Sequence, residues 1–239
     1  MPAQNLSGFA EKVALVTDGT NGVGRAVALQ LALQGCYVIV GYSDADDRTK
    51  SALTELQSLG TLANAVEANC STVEGTKKLV DEVEKLYGRL DLLINTVKFM
   101  PDSSFDEMTE EVWTQTVEVN LKAIFFVTQR AVRLMKFRPK PLIVNVASAC
   151  DTEETEGNIA YRSVQTGIVG MTKALALRLK PKFRVNCVAV SEKKVVGEVL
   201  DAELFKPKTS VADDDVARTI VYLLSSEAVG LNGQILTVG

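Results

Sequence analysis

The chain has 239 residues, of which 46% are hydrophobic, and it carries 26 Lys and Arg against 30 Asp and Glu. These values are typical of a globular protein and exclude the disordered, collagen-like and disulfide-scaffold classes. A net charge of −4 gives no electrostatic footprint for nucleic acid or an anionic membrane. The chain contains no His, so mechanisms that need an imidazole ligand or base are excluded, Ser-His-Asp and Cys-His catalysis among them.

The start of the chain lacks the basic residues and apolar stretch of a signal peptide, and its longest apolar runs, such as 123–127, are too short to cross a bilayer. We therefore expect a cytoplasmic protein with no membrane partner. Cys36, Cys70, Cys150 and Cys187 are scattered without C-x-x-C spacing. This pattern predicts buried, reduced thiols and no metal site.

Short apolar runs alternate with helical patterns along the whole chain. The runs predict strands at 13–16, 37–40, 63–67, 90–94, 142–147, 185–189 and 234–238. The segments between them predict helices at 22–34, 46–59, 71–88, 109–135 and 160–179, and a last helix from Asp213. Ser71 stands at the start of the third helix with Glu74 in capping-box position.

The predicted strands are continuous apolar runs rather than alternations of apolar and polar residues. Such strands are typical of a parallel sheet covered on both faces, with right-handed crossover helices between successive strands. No linker, repeat or low-complexity segment interrupts the pattern. The prediction is an α/β fold with a doubly wound, parallel, seven-stranded sheet, forming one domain over residues 1–239.

A glycine-rich turn lies between the first strand and the first helix, with the sequence T-D-G-T-N-G-V-G at 17–24. Backbone N–H groups in such a turn, and the N-terminus of the helix that follows, favour an anion such as a pyrophosphate. The candidate cofactor-binding residues here are Gly19, Thr20, Asn21, Gly22 and Val23. The alternative is a tight turn that only packs the helix on the sheet.

A second group of residues is more specific. Ser148 directly follows the fifth predicted strand, Tyr161 stands 13 positions later, and Asn120 lies within the long preceding helix. Together with the turn at 17–24, this pattern resembles the short-chain dehydrogenase/reductase family over essentially the whole chain, and most nearly its 3-oxoacyl carrier-protein reductase type. The strings D-L-L-I-N at 91–95 and I-V-N-V-A-S at 143–148 support the resemblance.

The resemblance implies a single-domain Rossmann fold and hydride transfer between NADP or NAD and a small carbonyl or hydroxyl substrate. It implies Tyr161 as general acid/base, Ser148 as hydrogen-bond donor to the substrate oxygen, and Asn120 as holder of a proton-relay water. Asn69 and Asn95 are implied as cofactor-binding residues. The resemblance also implies a homodimer or homotetramer built on the two long helices, where apolar residues at 124, 125 and 168 serve either that interface or the core.

The sequence departs from the family pattern at its charged and close-packed positions. Gln165 stands where the family has a catalytic Lys four residues after the Tyr, so the cation that brings a phenol with pKa near ~10 into range at neutral pH is missing. Asp18 replaces the first Gly of the turn and would repel a 2′-phosphate. Asn69 replaces an Asp, and the segment after the fourth strand, 95–98, lacks the usual Gly. Nothing after the second strand indicates NAD or NADP.

Two hypotheses follow. In the first, hydride transfer is lost or strongly impaired, and the chain keeps the fold for ligand sensing or for assembly, for example in a mixed oligomer with an active relative. In the alternative, the chain is an active NAD(P)(H)-dependent oxidoreductase that uses Tyr161, Ser148 and Asn120, with a substitute cation from Lys98 or Lys193. The degenerate positions favour the first hypothesis.

Overall fold

The computed structural model describes residues 8–43, 45–59, 63–149, 159–191 and 213–239. Its strands are β1 (Val13–Val16), β2 (Tyr37–Tyr42), β3 (Ala63–Glu67), β4 (Leu92–Asn95), β5 (Leu142–Ser148), β6 (Arg184–Val190) and β7 (Ile235–Val238). Its helices are α1 (Gly22–Leu33), α2 (Asp47–Ser58), α3 (Val73–Tyr87), α4 (Glu110–Val117), α5 (Ala123–Met135), α6 (Ile159–Leu179) and α7 (Asp213–Leu224), with a π-helical turn at Glu118–Lys122 between α4 and α5.

The seven strands form one parallel sheet in the order β3-β2-β1-β4-β5-β6-β7. Residues of α1 and α7 join the hydrophobic core on one face of the sheet. Residues of α3, α5 and α6 join the core on the other face. The predicted α/β fold with a doubly wound, seven-stranded sheet is therefore confirmed. The strand order reverses between β1 and β4, and ligands of such sheets bind at the carboxyl ends of the strands near that point.

The start of α3 differs from the predicted capping box. Thr72, not Ser71, is the N-cap, and its hydroxyl accepts a hydrogen bond from the Gly75 N–H at 2.9 Å. The Ser71 N–H and hydroxyl instead both donate to Asn69 Oδ1, at 3.0 and 2.6 Å. This local turn holds Ser71 outside the helix and moves the helix start by one residue. Gly88 ends the helix in the left-handed region with φ 62°, as the sequence predicts.

The long helix predicted from Thr109 to Met135 contains a π-helical turn at its centre. Thr109 caps its start by accepting from the Val112 N–H. The π turn contains Asn120 and packs against α6. Such turns widen a helix by one residue and are frequent at functional sites.

Three thiols are buried and free: Cys36, Cys70 and Cys187. Burial raises the pKa of Cys36 and Cys187 to about 12 and that of Cys70 to about 11. These thiols are as the sequence predicts, whereas Cys150 lies outside the described residues. Within the described ranges, no group of three His, Cys, Asp or Glu is placed to hold a metal ion.

None of the described helices is long and apolar enough to cross a membrane.

Candidate active site

The carboxyl ends of β5 and β6 bring the two hydroxyl groups of the predicted site together. Ser148 is the last residue of β5 and pairs in register with Val190 of β6. Tyr161 lies in the first turn of α6, which packs on β5, and is only 3% exposed. Ser148 Oγ and Tyr161 Oη are 2.7 Å apart, and either hydroxyl can be the donor. The 13-residue spacing is therefore a close contact in space.

Gln165 follows Tyr161 by one helical turn and is 3% exposed. Its carboxamide Oε1 accepts a hydrogen bond from the Ser148 backbone N–H at 2.8 Å. A Lys at this position has only donors and could not accept from that N–H. Gln165 is a neutral residue beside Tyr161, and its carboxamide supplies an acceptor that holds the backbone at the end of β5.

Asn120 is fully buried in the π turn, and its side chain is committed to backbone groups. Its Oδ1 accepts from the Phe99 N–H at 2.9 Å, and its Nδ2 donates to Phe99 O at 2.7 Å and to Thr116 O at 2.9 Å. Both Nδ2 hydrogens are thus used. The carboxamide ties the loop after β4 to the long helix, and the proposed role in holding a relay water falls to the remaining Oδ1 lone pair or to the backbone.

The side chain of Asn95, which is one of the predicted cofactor-binding residues, lies in the core. It is 0% exposed, and its Nδ2 donates to Asn145 Oδ1 at 2.8 Å and to Thr128 Oγ1 at 3.2 Å. Asn145 in turn donates to Thr172 Oγ1 at 2.9 Å. The strand ends at Asn95, but this side chain points from the sheet toward α5, where a polar group needs a hydrogen-bonding partner.

Asn69 follows β3 and is exposed, so its side chain remains within reach of a ligand at this edge. Its Oδ1 is engaged by Ser71, as described for the start of α3. An Asn there has no formal charge to offer an adenine. Its proposed role in cofactor binding therefore depends on the Nδ2 donor.

The glycine-rich turn is packed too closely to accept side chains at two of its Gly positions. A Cβ on Gly19 would lie 2.3 Å from Val40 Cγ1, and the Gly19 N–H donates to Gly41 O at 3.1 Å. A Cβ on Gly24 would lie 1.7 Å from Asp18 O. These contacts press α1 onto the sheet, so the packing alternative named from the sequence accounts for both Gly residues.

The remaining predicted residues of the turn surround the N-terminus of α1. Thr20 is buried, and its Oγ1 accepts from Asn21 Nδ2 and from Thr49 Oγ1, both at 3.3 Å. Asn21 is the N-cap of α1, but its side chain makes no capping hydrogen bond. Gly22 begins the helix with φ 46°, and Val23 is partly buried against the core. The first N–H groups of α1 therefore have no side-chain cap, as an anion site requires.

Asp18 adds a negative charge at the start of this turn. Burial raises its pKa from 3.8 to about 6, although a hydrogen bond from Asn21 opposes the rise. Its charge also contributes to the raised pKa of Cys70, after the larger effect of burial. Thr96 holds the Asp18 backbone from the other side: Thr96 Oγ1 accepts from the Asp18 N–H at 3.2 Å and donates to Asp18 O at 3.1 Å.

A second carboxylate, which the sequence analysis did not connect with the site, stands at the same helix end. Asp213 begins α7, and α7 packs along α1. Both carboxylate oxygens of Asp213 lie 3.8 Å from the position that a Cβ would take on Gly22. The acidic start of the last helix was visible in the sequence, but its position beside Gly22 depends on how the two helices pack.

The backbone of the turn thus suits a dinucleotide, whereas the negative charges beside the turn do not. Uncapped N–H groups and Gly22 suit a pyrophosphate, whereas the carboxylates of Asp18 and Asp213 oppose one.

Three features define a Rossmann-type oxidoreductase scaffold. They are the parallel sheet in this strand order, the glycine-rich turn after β1, and the Ser–Tyr pair between β5 and α6. A family model described as short chain dehydrogenase matches residues 12–195, and the chain belongs to that family. It is 29% identical over 238 residues to the 3-oxoacyl-acyl-carrier-protein reductase FabG of Staphylococcus aureus, with 95% of this chain and 96% of that protein covered.

Two further relatives support the assignment. The dehydrogenase/reductase SDR family member 4 of Pongo abelii is 31% identical over 243 residues, covering 97% of this chain and 87% of that protein. A crystal structure of a short chain dehydrogenase from Burkholderia cenocepacia in complex with NADP has a TM-score of 0.85 and 28% identity, with 98% of each chain covered. The family uses NAD(P), so the expected cofactor class agrees with the scaffold.

Proposed function

We propose that this chain keeps the NAD(P)-dependent oxidoreductase scaffold of its family but that its own hydride transfer is lost or strongly impaired. The observation that carries the proposal is the buried Gln165 carboxamide, whose oxygen is 2.8 Å from the Ser148 nitrogen. The position that supplies the catalytic cation in the family is filled here by a neutral group with a structural hydrogen bond.

The cost of this change can be gauged from the charge that is missing. An ammonium ~6 Å from a phenol oxygen, at an effective dielectric constant of ~20, favours the phenolate by about 3 kcal/mol. That corresponds to about two pKa units and, if fully expressed in the barrier, about a hundredfold in rate. Ser148 and Tyr161 remain placed to contact a substrate oxygen and transfer a proton, but without that support.

The proposal is tested by comparing the wild-type protein with Tyr161→Phe, using NADH and NADPH with a short 3-oxoacyl thioester and a small ketone. We expect no wild-type turnover, or turnover about a hundredfold below that of Gln165→Lys, because Tyr161 lacks the charge that favours its phenolate. A wild-type rate that equals or exceeds that of Gln165→Lys and that Tyr161→Phe abolishes would overturn the proposal. Gln165→Lys, with Gln165→Met as the uncharged control that also lacks the acceptor, then measures what the charge alone restores.

The alternative is an active oxidoreductase with a substitute cation, and the 2.7 Å contact between Ser148 and Tyr161 favours it. Lys98 follows β4 by three residues and is exposed, and the alternative requires its ammonium to reach Tyr161. Lys193, the other candidate, lies outside the described residues. If the wild-type protein is active, Lys98→Met and Lys193→Met identify the cation: the one that supplies the charge reduces kcat, and the other leaves it unchanged.

An impaired subunit has a use if it assembles with others, and we infer a homodimer, a homotetramer or a mixed oligomer with an active relative. Ile124 and Ile168 are each 1% exposed and belong to the core, whereas Phe125 and Trp113 are about half exposed on the long helix. Phe125→Glu, measured by light scattering with and without a co-expressed relative, should dissociate the oligomer. An unchanged mass would exclude this surface.

A further inference from the structure

Two helices from opposite ends of the chain, α1 and α7, meet at the N-terminus of α1. Gly22, the first residue of α1, faces Asp213, the first described residue of α7, and a Cβ on Gly22 would be 3.8 Å from both carboxylate oxygens. We propose that Asp213 is a built-in anion that weakens the binding of phosphate-bearing nucleotides at this turn, so that neutralising Asp213 tightens their binding.

The residues of α1 provide no side-chain acceptor or negative charge for the N-terminus of this helix. Its first turn contains no Asp or Glu, and the Asn21 side chain makes no capping bond. The first N–H groups of a helix have no intrahelical acceptor and carry a partial positive charge. A carboxylate beside Gly22 is therefore attracted to the same helix end that a phosphate would occupy.

The three acids at the start of α7 differ in their partners. Asp215, two positions later, forms an ion pair with Arg218. Asp213 and Asp214 are both exposed, and the backbone oxygen of Asp214 accepts a hydrogen bond from Gln30 Nε2 at 3.4 Å. Among the residues that the structure describes, no Lys or Arg forms an ion pair with Asp213. Of the three acids that begin α7, Asp213 is the one near Gly22.

The expected change in nucleotide affinity follows from Coulomb's law. A carboxylate ~5 Å from a phosphate charge, at an effective dielectric constant of ~40, changes a dissociation constant by about tenfold. The contribution is electrostatic, so it should fall at high salt, where the Debye length is ~3 Å at 1 M. It acts on the phosphates and is the same for NADH, NADPH and ADP-ribose, because all three contain the pyrophosphate.

The experiment measures equilibrium binding by calorimetry to the full-length chain. Asp213→Asn is expected to lower the Kd of NADH and of ADP-ribose about tenfold at low salt. Asp213→Glu keeps the charge and should leave both values near wild type. Asp214→Asn, the neighbouring carboxylate that does not face Gly22, is the matched control and should change neither. Asn is a favourable residue at a helix start, so α7 is expected to fold in the variant.

An unchanged Kd in Asp213→Asn, or an equal gain in Asp214→Asn, would overturn the proposal. The proposal would also be overturned if neither the wild type nor Asp213→Asn bound NADH at about 10 mM, a concentration that detects even very weak sites. Neutralisation of Asp213 would then have exposed no phosphate site. If Asp213→Asn fails to fold, Asp213→Ser removes the same charge, and Ser is also a favourable residue at a helix start.

The inference rests on the proposed function only in taking a dinucleotide as the ligand. Tighter binding by Asp213→Asn without turnover supports the inference and leaves the effect of Gln165 in place. Turnover by the wild-type protein would refute the proposed loss of activity without touching the binding comparison. The two failures are therefore distinguishable.

Discussion

The raised pKa of Asp18 predicts that this residue lowers the stability of the folded chain as the pH rises. Burial raises its folded-state pKa from 3.8 to about 6, so the ionised carboxylate is less stable in the folded chain than in the unfolded one. Below pH 3.8 the group is protonated in both states and contributes nothing. Between pH 3.8 and 6 the folded chain holds the proton that the unfolded chain has released, so rising pH lowers the free energy of unfolding through this group.

The full cost is present above pH 6. The rise from 3.8 to about 6 is about two pKa units, or about 3 kcal/mol at 1.4 kcal/mol per unit. Asp18→Asn removes the charge while keeping the size, and its carboxamide can still bond to Asn21. At pH 7.5 the variant should therefore gain up to about 3 kcal/mol, which is a Tm increase of about 6 to 12 °C for a domain of this size.

Thermal unfolding of both proteins without nucleotide, followed by circular dichroism at about pH 4 and pH 7.5, measures this difference. The Tm gain of the variant should be large at the higher pH and small at the lower one. Asp47→Asn is the control, because Asp47 is exposed in a surface ion pair with Lys50, and it should change Tm little at either pH. An equal gain for Asp18→Asn at both pH values, or a loss at pH 7.5, would show that burial of the charge is not the cause.

Three further variants and one control variant test the packing and hydrogen bonds of the site by urea denaturation. Gly24→Ala places a Cβ 1.7 Å from a carbonyl oxygen and should lower the free energy of unfolding by more than about 3 kcal/mol. The control Gly170→Ala, whose Cβ meets nothing within 4 Å, should leave it unchanged or raise it by about 0.5–1 kcal/mol. Similar values for the two variants would contradict the reasoning. Asn120→Ala removes three hydrogen bonds to backbone groups and should cost about 2–4 kcal/mol; a neutral result would mean that the loop after β4 is held by other contacts. Gln165→Lys leaves the Ser148 N–H without its acceptor and should cost about 1–3 kcal/mol; no loss of stability would show that water replaces the carboxamide.

The fold could be predicted because its signal is local and repeated. Continuous apolar runs such as Val13–Val16 have no polar face, and a parallel sheet covered by helices buries such strands completely. The boundaries were less certain, because a cap depends on a few local hydrogen bonds. At α3, the hydrogen bonds from Ser71 to Asn69 place Thr72 at the N-cap. The capping-box pattern alone does not distinguish an N-cap at Ser71 from one at Thr72.

The central pair of the site could also be predicted, from the resemblance. Ser148 and Tyr161 stand 2.7 Å apart, and Gln165 faces the same strand end. What the sequence did not show is the second role of Gln165, as the acceptor for the Ser148 N–H. That role depends on the approach of α6 to the end of β5, and the spacing along one helix carries no information about it.

Tertiary structure alone decided the direction of Asn95 and the position of Asp213. Asn95 stands at a strand end, where a ligand or the core can use its carboxamide, and the neighbouring Asn145 and Thr128 bring it into the core. Asp213 is 191 positions from Gly22 and meets it because α7 packs along α1. The sequence determined the chain's elements through short-range periodicity and hydrophobic burial. Its electrostatics, however, depend on distances between charges, and only packing brings together charges that are remote in the sequence.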